Sequence, residues 1–186
     1  MLNTTEAIVL SLQPISDRAQ LLHAYTRMGG RVNYKVFGLG RKHAIGMYNP
    51  LSLIQITTDS SSVRTAQLTY VPATITQDPY KRTIALFLSE VLYHVLRHPM
   101  QDEPMFDFIA RTVQQLDDID QPQNFHLQFL VDFAAKLGFA IPYETPMPST
   151  RSQRQQQLQQ LCTYFEEHVE TWQRPRSLDV LMEVFN

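Results

Sequence analysis

Gly38 and Gly40, followed at once by Arg41 and Lys42, are the residues whose types and spacing best suit a phosphate. Backbone N–H groups exposed by glycines can wrap an anion, and the two cations can neutralise it. A dinucleotide loop needs G-x-G-x-x-G after a strand and opening a helix. In KVFGLGRKHAIG the third glycine position is His43, and Pro50 soon interrupts any helix. The stretch also fails the G-x-x-x-x-G-K-[ST] pattern of a P-loop. Two readings remain: a tight turn with solvated charges, or a basic finger for nucleic acid.

Other combinations of chemistry-bearing residues are weaker. His94 and His98 are spaced i, i+4, which on a helix would put both on one side, as a metal requires. Val95-Leu96-Arg97 lies between them, without the glutamate of H-E-x-x-H, so surface or partly buried histidines are the expectation. Asp117, Asp118 and Asp120 lack the glycine and distal glutamate of a calcium loop and read as a solvated helix end before Pro122. A metal-assisted nuclease would have to be built from that cluster. Cys162 falls on an apolar stripe with Leu161 and Phe165 and reads as a small buried hydrophobe. No nucleophile, base and orienter assemble, so the chain is expected to be no enzyme and to hold no metal or cofactor.

The elements that must position these residues change character along the chain. Ala7–Leu10, Leu21–Tyr25, Arg31–Phe37, Leu51–Thr57 and Arg64–Tyr70 read as short strands, with turns at Ser16-Asp17, Met28-Gly29-Gly30 and Asp59–Ser62. Period two puts Val32, Tyr34 and Val36 on one face, and Arg31, Asn33, Lys35 and Phe37 on the other. Five such strands predict a small antiparallel barrel, with the OB-fold as the leading candidate. After Pro79 the period becomes helical. Ile84, Phe87, Leu88, Val91, Leu92 and Val95 mark a first helix, and Phe106, Ile109, Val113 and Leu116 a second behind Pro104. A third, capped by Asn124, carries Phe125, Phe129, Phe133 and Leu137 and stops at Gly138. A fourth carries Leu158, Leu161, Phe165 and Trp172, and Ser177 caps a last one with Leu178, Leu181, Met182 and Phe185. Pro142, Pro146 and Pro148 make a stiff linker at 142–152. The expected class is α+β: a basic OB-fold over residues 1–76 and a helical bundle over 77–186.

Charge follows the same division. Up to residue 82 there are nine cations against four anions; the remainder holds seven against fourteen. A basic module prefers polyanions. Cations interleaved with an aromatic ring on a barrel face are what single-stranded nucleic acid needs, lysine and arginine tracking phosphates while the ring stacks on a base. Phe37 is either that ring or part of the core, and the pattern does not choose. A single cysteine, no signal-like apolar start and no apolar run long enough for a membrane helix predict a soluble, cytoplasmic protein without disulfides.

In order along the chain, AIVLSL, YTRMGGRVNYKVFGLGRK leading to PLSLIQI, DPYKRTIALFLSEVLYHVLRHPMQDEPMFDFI, NFHLQFLVDFAAKLGF and SLDVLMEVF resemble the RecO family of bacterial recombination mediators, most closely the form in Bacteroides-like bacteria. The resemblance implies an OB-fold followed by a helical domain. It further implies single- and double-stranded DNA binding, strand annealing, and work with RecR in replacing single-stranded-DNA-binding protein by the recombinase. With the basic strand and loop read above, the DNA-contacting candidates are Arg31, Lys35, Phe37, Arg41, Lys42 and Arg64. Many members carry a four-cysteine zinc module or a longer segment after G-F-x-P; here Gly138–Pro142 leads almost directly to the Gln-rich helix, so zinc is not expected. The alternative is a RecO-like protein-interaction module that no longer binds DNA.

Overall fold

The computed structural model describes residues 2–38, 46–141 and 147–184. Gly40, Arg41, Lys42, His43, Pro142, Pro146 and Phe185 lie outside the described residues. The chain divides into two units, one of Met1–Pro72 with Leu96–Val113, the other of Ala73–Val95 with Gln114–Asn186.

The first unit is built on five antiparallel strands: β1 (Asn3–Ser16), β2 (Ala19–Thr26), β3 (Gly30–Phe37), β4 (Leu53–Thr58) and β5 (Val63–Leu68). Their order is β3-β2-β1-β4-β5, so β1 pairs on both sides, Ala7 opposite Thr26 and opposite Ile54. The edge strands meet at one parallel bridge, Lys35 to Ser62, with the Lys35 N–H donating to Ser61 O (2.8 Å). The sheet thus approaches the OB arrangement without closing its ladder. One face is apolar. Ala7, Val9, Leu22, Ala24, Val36, Ile54 and Ile56 bury there with Tyr48, and Tyr34 packs against them. Period two in β3 therefore works as the pattern predicts.

β1 runs six residues beyond Leu10, further than its apolar stretch suggests. Breaks in its register with β2 fall between Val9 and Ser11 and between Pro14 and Ser16. Such bulges let the strand bend while pairing continues, at the cost of the alternation that marks a strand in sequence. The β2–β3 turn needs its second glycine. Gly30 has φ +60, and a Cβ there would stand 2.3 Å from Met100 O.

The second unit is helical. Helix α1 (Pro79–Val95) starts behind Asp78, whose Oδ1 accepts from the Tyr80 N–H (2.8 Å). Helix α2 (Glu103–Asp118) belongs to the first unit up to Val113 and to the second thereafter. Helices α3 (Phe125–Lys136), α4 (Arg151–His168) and α5 (Ser177–Val184) follow. Phe129 stacks on Phe133 (5.4 Å) and Phe133 on Phe165 (6.1 Å), so the four-residue phenylalanine spacing serves the core. Gly138, at φ +92, ends α3 with Gly138 N–H to Ala135 O and Phe139 N–H to Ala134 O, a Schellman turn.

Three details differ from expectation. Asn124 does not cap α3 through its side chain; its amide donates instead to Pro148 O (3.0 Å). Helix α4 stops at His168, and Trp172 reaches Phe165 (5.0 Å) from beyond its end. Ser177 gives both its N–H (2.9 Å) and its hydroxyl (2.7 Å) to Glu90 Oε2, so a carboxylate from α1 satisfies the start of α5. The cap legible in retrospect is Thr150 with Gln153, a reciprocal capping box opening α4.

Asp117 also departs from its expected place on a solvated helix end. It is 4% exposed. Its carboxylate accepts the N–H groups of Ala73, Thr74 and Ile75 at 2.7–2.9 Å. Lys81, likewise buried, donates to Thr74 Oγ1 and to Asp117 O (both 2.7 Å). Helix α1 ends at Val95, before His98, so the i, i+4 relation between His94 and His98 does not exist. No group of three metal-ligating side chains occurs among the described residues. Cys162 is buried, which pushes its thiol up to about 11.

Candidate nucleic-acid interface

The face of β3 that turns away from the core carries Arg31, Asn33, Lys35 and Phe37, and the sheet register says what stands beside each. Tyr25 pairs with Arg31, His23 with Asn33, Leu21 with Lys35 and Ala19 with Phe37. On the far side of β2, Gln13 of β1 pairs with Leu21 and Ser16 with Ala19. These rows form a surface three strands wide whose two ends differ.

The Arg31 end is covered within its own unit. The Arg31 N–H donates to His98 O (3.3 Å), and Nη1 to Leu96 O (3.4 Å). His23 Nδ1 donates to Asn33 Oδ1 (2.7 Å), with Arg31 Nη2 lying 3.4 Å from the same nitrogen. Burial holds the His23 imidazole below its usual pKa; the Asn33 bond opposes that and the Arg31 charge adds to it. Tyr25 is buried too, its phenol pushed up to about 12 by desolvation and then by Asp102. Arg27 is occupied as well, paired with Glu6 (2.6 Å) and Asp107 (2.8 Å) and lying over the Phe106 ring. Arg31 and Arg27 are thus parts of the packing as well as charges.

The other end is open. Lys35 is exposed, and Phe37 is 57% exposed. That places the ring outside the core, on the side of the cations. Arg18, exposed in the β1–β2 turn, adjoins Ala19 and therefore the Phe37 row. Neither Arg18 nor Lys35 makes an ion pair among the described residues. Ser16-Asp17 reads in sequence only as a turn, so Arg18 carries no signal there; what relates it to Phe37 is the β2–β3 register, which sets its neighbour Ala19 opposite that ring.

Arg64 lies across the seam. It stands on β5 two residues after Ser62, the bridge partner of Lys35, and falls in the β4–β5 bulge without a residue opposite it in the register, since Thr58 pairs with Val63 and Thr57 with Thr65. Its Nε donates to Asp59 Oδ2 (2.6 Å). The Ser61 N–H, the Ser62 N–H and Arg64 hold the Asp59 carboxyl below the usual range, so Asp59 stays charged and offsets part of the Arg64 field. The structure sets Lys35 and Phe37 on one face of β3, leaves Arg64 two residues along β5 from the bridge to Lys35, and puts Arg31 at the covered end. Arg41 and Lys42 fall outside the described residues.

The charge division shifts once the units are known. Lys81 and Arg82 belong to the helical unit and 96–113 to the sheet unit, which leaves nine cations against six anions in the first and seven against twelve in the second. The net +3 and −5 keep the sign of the sequence estimate at reduced size.

Residues 76–145 match the family described as Recombination protein O C terminal. The chain is 34% identical over 148 residues to the DNA repair protein RecO of Phocaeicola vulgatus, covering 74% of this chain and 61% of that protein. To the Porphyromonas gingivalis protein of the same name it is 32% identical over 150 residues, again 74% and 61%. The chain thus spans about three-fifths of the length of these relatives. To the protein of that name from Christiangramia forsetii it is 24% identical over 241 residues, covering all of both. That alignment is longer than this chain, so the relative carries residues that this chain lacks.

Proposed function

Because the chain belongs to the RecO family, we propose that it binds DNA through the open end of its sheet and serves recombinational repair. The observation that carries this is the exposure of Lys35 and Phe37 on one face of β3, flanked by Arg18 and followed in sequence by Arg41-Lys42, in a unit of net positive charge. Such a surface meets the backbone of single- and double-stranded DNA alike, since phosphate contacts read no sequence. Two strands held there lose part of their mutual repulsion, which is the physical basis of annealing. In the family's terms, the protein would act with RecR to load recombinase where single-stranded-DNA-binding protein coats the strand. The role is one of binding rather than catalysis, carried out in the cytoplasm. No helix among the described residues is long and apolar enough to cross a membrane.

Contacts from Arg18, Lys35, Arg41 and Lys42 correspond to about four phosphates. Log affinity for single strands then falls with log salt at a slope of about −3. Lys35→Ala should weaken binding to all sequences alike and reduce the slope by about 0.7. A titration flat in salt rejects the reading.

The occupied state of Arg27, Arg31 and Arg64 and the acidic helical unit favour one alternative, a protein-interaction module without DNA binding. Co-purification with RecR, without any shift of labelled oligonucleotides, selects it.

A further inference from the structure

We propose that Phe37 makes this surface distinguish unpaired strands from duplex, a proposal that rests on the DNA-binding reading above. Phenylalanine at a strand end normally buries its ring, yet this one is 57% exposed while its neighbour Val36 is 4% exposed. The row it occupies holds small residues, Ala19 and Ser16, so nothing on β2 or β1 stands as tall as the ring. Ile15, 53% exposed, lies at the β1 bulge beside Ser16 and extends the apolar tip. Lys35 is two residues back along the same face, about 6.7 Å away. Arg18 is at the adjoining turn, with the exposed Asp17 as the opposing charge there.

A ring so placed, with cations on two sides, fits a strand whose phosphates run past Lys35 and Arg18 and whose bases have a free face. An unpaired base offers that face, and stacking on an aromatic side chain returns roughly 1–3 kcal/mol. Inside a duplex both faces of every base are occupied. Inserting a ring there means opening a base step, a cost that cancels the return. The cations therefore serve both forms of DNA, and Phe37 adds affinity for the unpaired form alone.

The test uses the full chain and three probes of similar charge: a dT 20-mer, an abasic 20-mer, and a duplex whose two ends are closed by non-nucleotide linkers, so that it holds no unpaired base. Each is titrated at two ionic strengths by fluorescence anisotropy. The expected result is that the wild type prefers the dT strand to the abasic one. Phe37→Ala should lower dT affinity about five- to hundredfold, leave the abasic and duplex affinities within twofold, and keep the salt slope. Phe37→Trp should restore the preference, and quenching of the new indole by dT, above the Trp172 background, reports the stack directly. An equal loss on all three probes overturns the proposal, because Phe37 would then only support the cations. Unchanged dT affinity also overturns it, because Phe37 then makes no stack with an unpaired base. A wild type that binds no probe in a salt-dependent way removes the DNA-binding reading itself, and this proposal with it.

Discussion

His126 on α3 is 2% exposed, edge-on to Phe87 at 6.2 Å, and borders a small cavity lined also by Arg151, Arg154, Leu158 and Leu181. Burial, helped by the Arg154 charge, pushes its imidazole down to about 3 from an ordinary 6.5. The folded protein thus keeps this ring neutral where the unfolded chain protonates it. Between pH 6.5 and about 3 the unfolded state binds the extra proton, so stability falls as pH falls, by up to about 1.4 kcal/mol per unit for this group. Above pH 6.5 both states are neutral and the effect disappears. Urea unfolding at pH 7 and pH 5 should show the loss, and His126→Gln should shrink the difference between the two. His23, also lowered, contributes in the same direction. None of this is legible in sequence, where His126 is one polar residue amid NFHLQFL.

Among the elements, β3 and the first helix follow from their periods, because each has one face against a core and the other toward water. What resists reading is any element whose ends are settled by distant partners. The bulged half of β1, the Glu90 carboxylate at the start of α5 and the Asp117 clamp on residues 73–75 all join positions far apart in sequence. Hairpin β2–β3 shows the same dependence. Its turn chemistry is plain from Met28-Gly29-Gly30, yet Gly30 is required twice, by its φ of +60 and by the Met100 backbone against it. Gly30→Ala should therefore cost more than the roughly 1 kcal/mol of a left-handed alanine, about 2–4 kcal/mol with the displaced segment. Thermal unfolding measures it, and a loss below 1 kcal/mol would mean that segment 96–102 yields freely. At the candidate site the same rule applies: the composition of β3 is evident, while the exposure of Phe37 and the proximity of Arg18 depend on register.

At the scale of the molecule, the sheet unit takes Leu96–Val113 from the middle of the chain, and the helical unit takes Ala73–Val95 from before it. A fragment of residues 1–76 contains all five strands but loses the backbone carbonyls of Leu96 and His98 that engage Arg31, and the carboxylate of Asp107 that pairs with Arg27. It should bind a hydrophobic dye and unfold at lower urea than the whole chain; a fragment as stable as the parent would show that 96–113 adds nothing. Charge is similarly a property of the assembled units, since Lys81 counts as basic in sequence but is buried among helices.

The interleaving of the two units has a consequence for how the protein is made. The ribosome releases all five strands before the residues that complete their unit, and it releases α1 before most of its helical partners. Each unit must wait for a stretch synthesised after the other has begun, so a nascent chain halted near residue 80 presents an unfinished sheet. The sheet unit can therefore be completed only after residue 113 has been made, and until then the Tyr25–His23 end stands without the segment whose carbonyls engage Arg31.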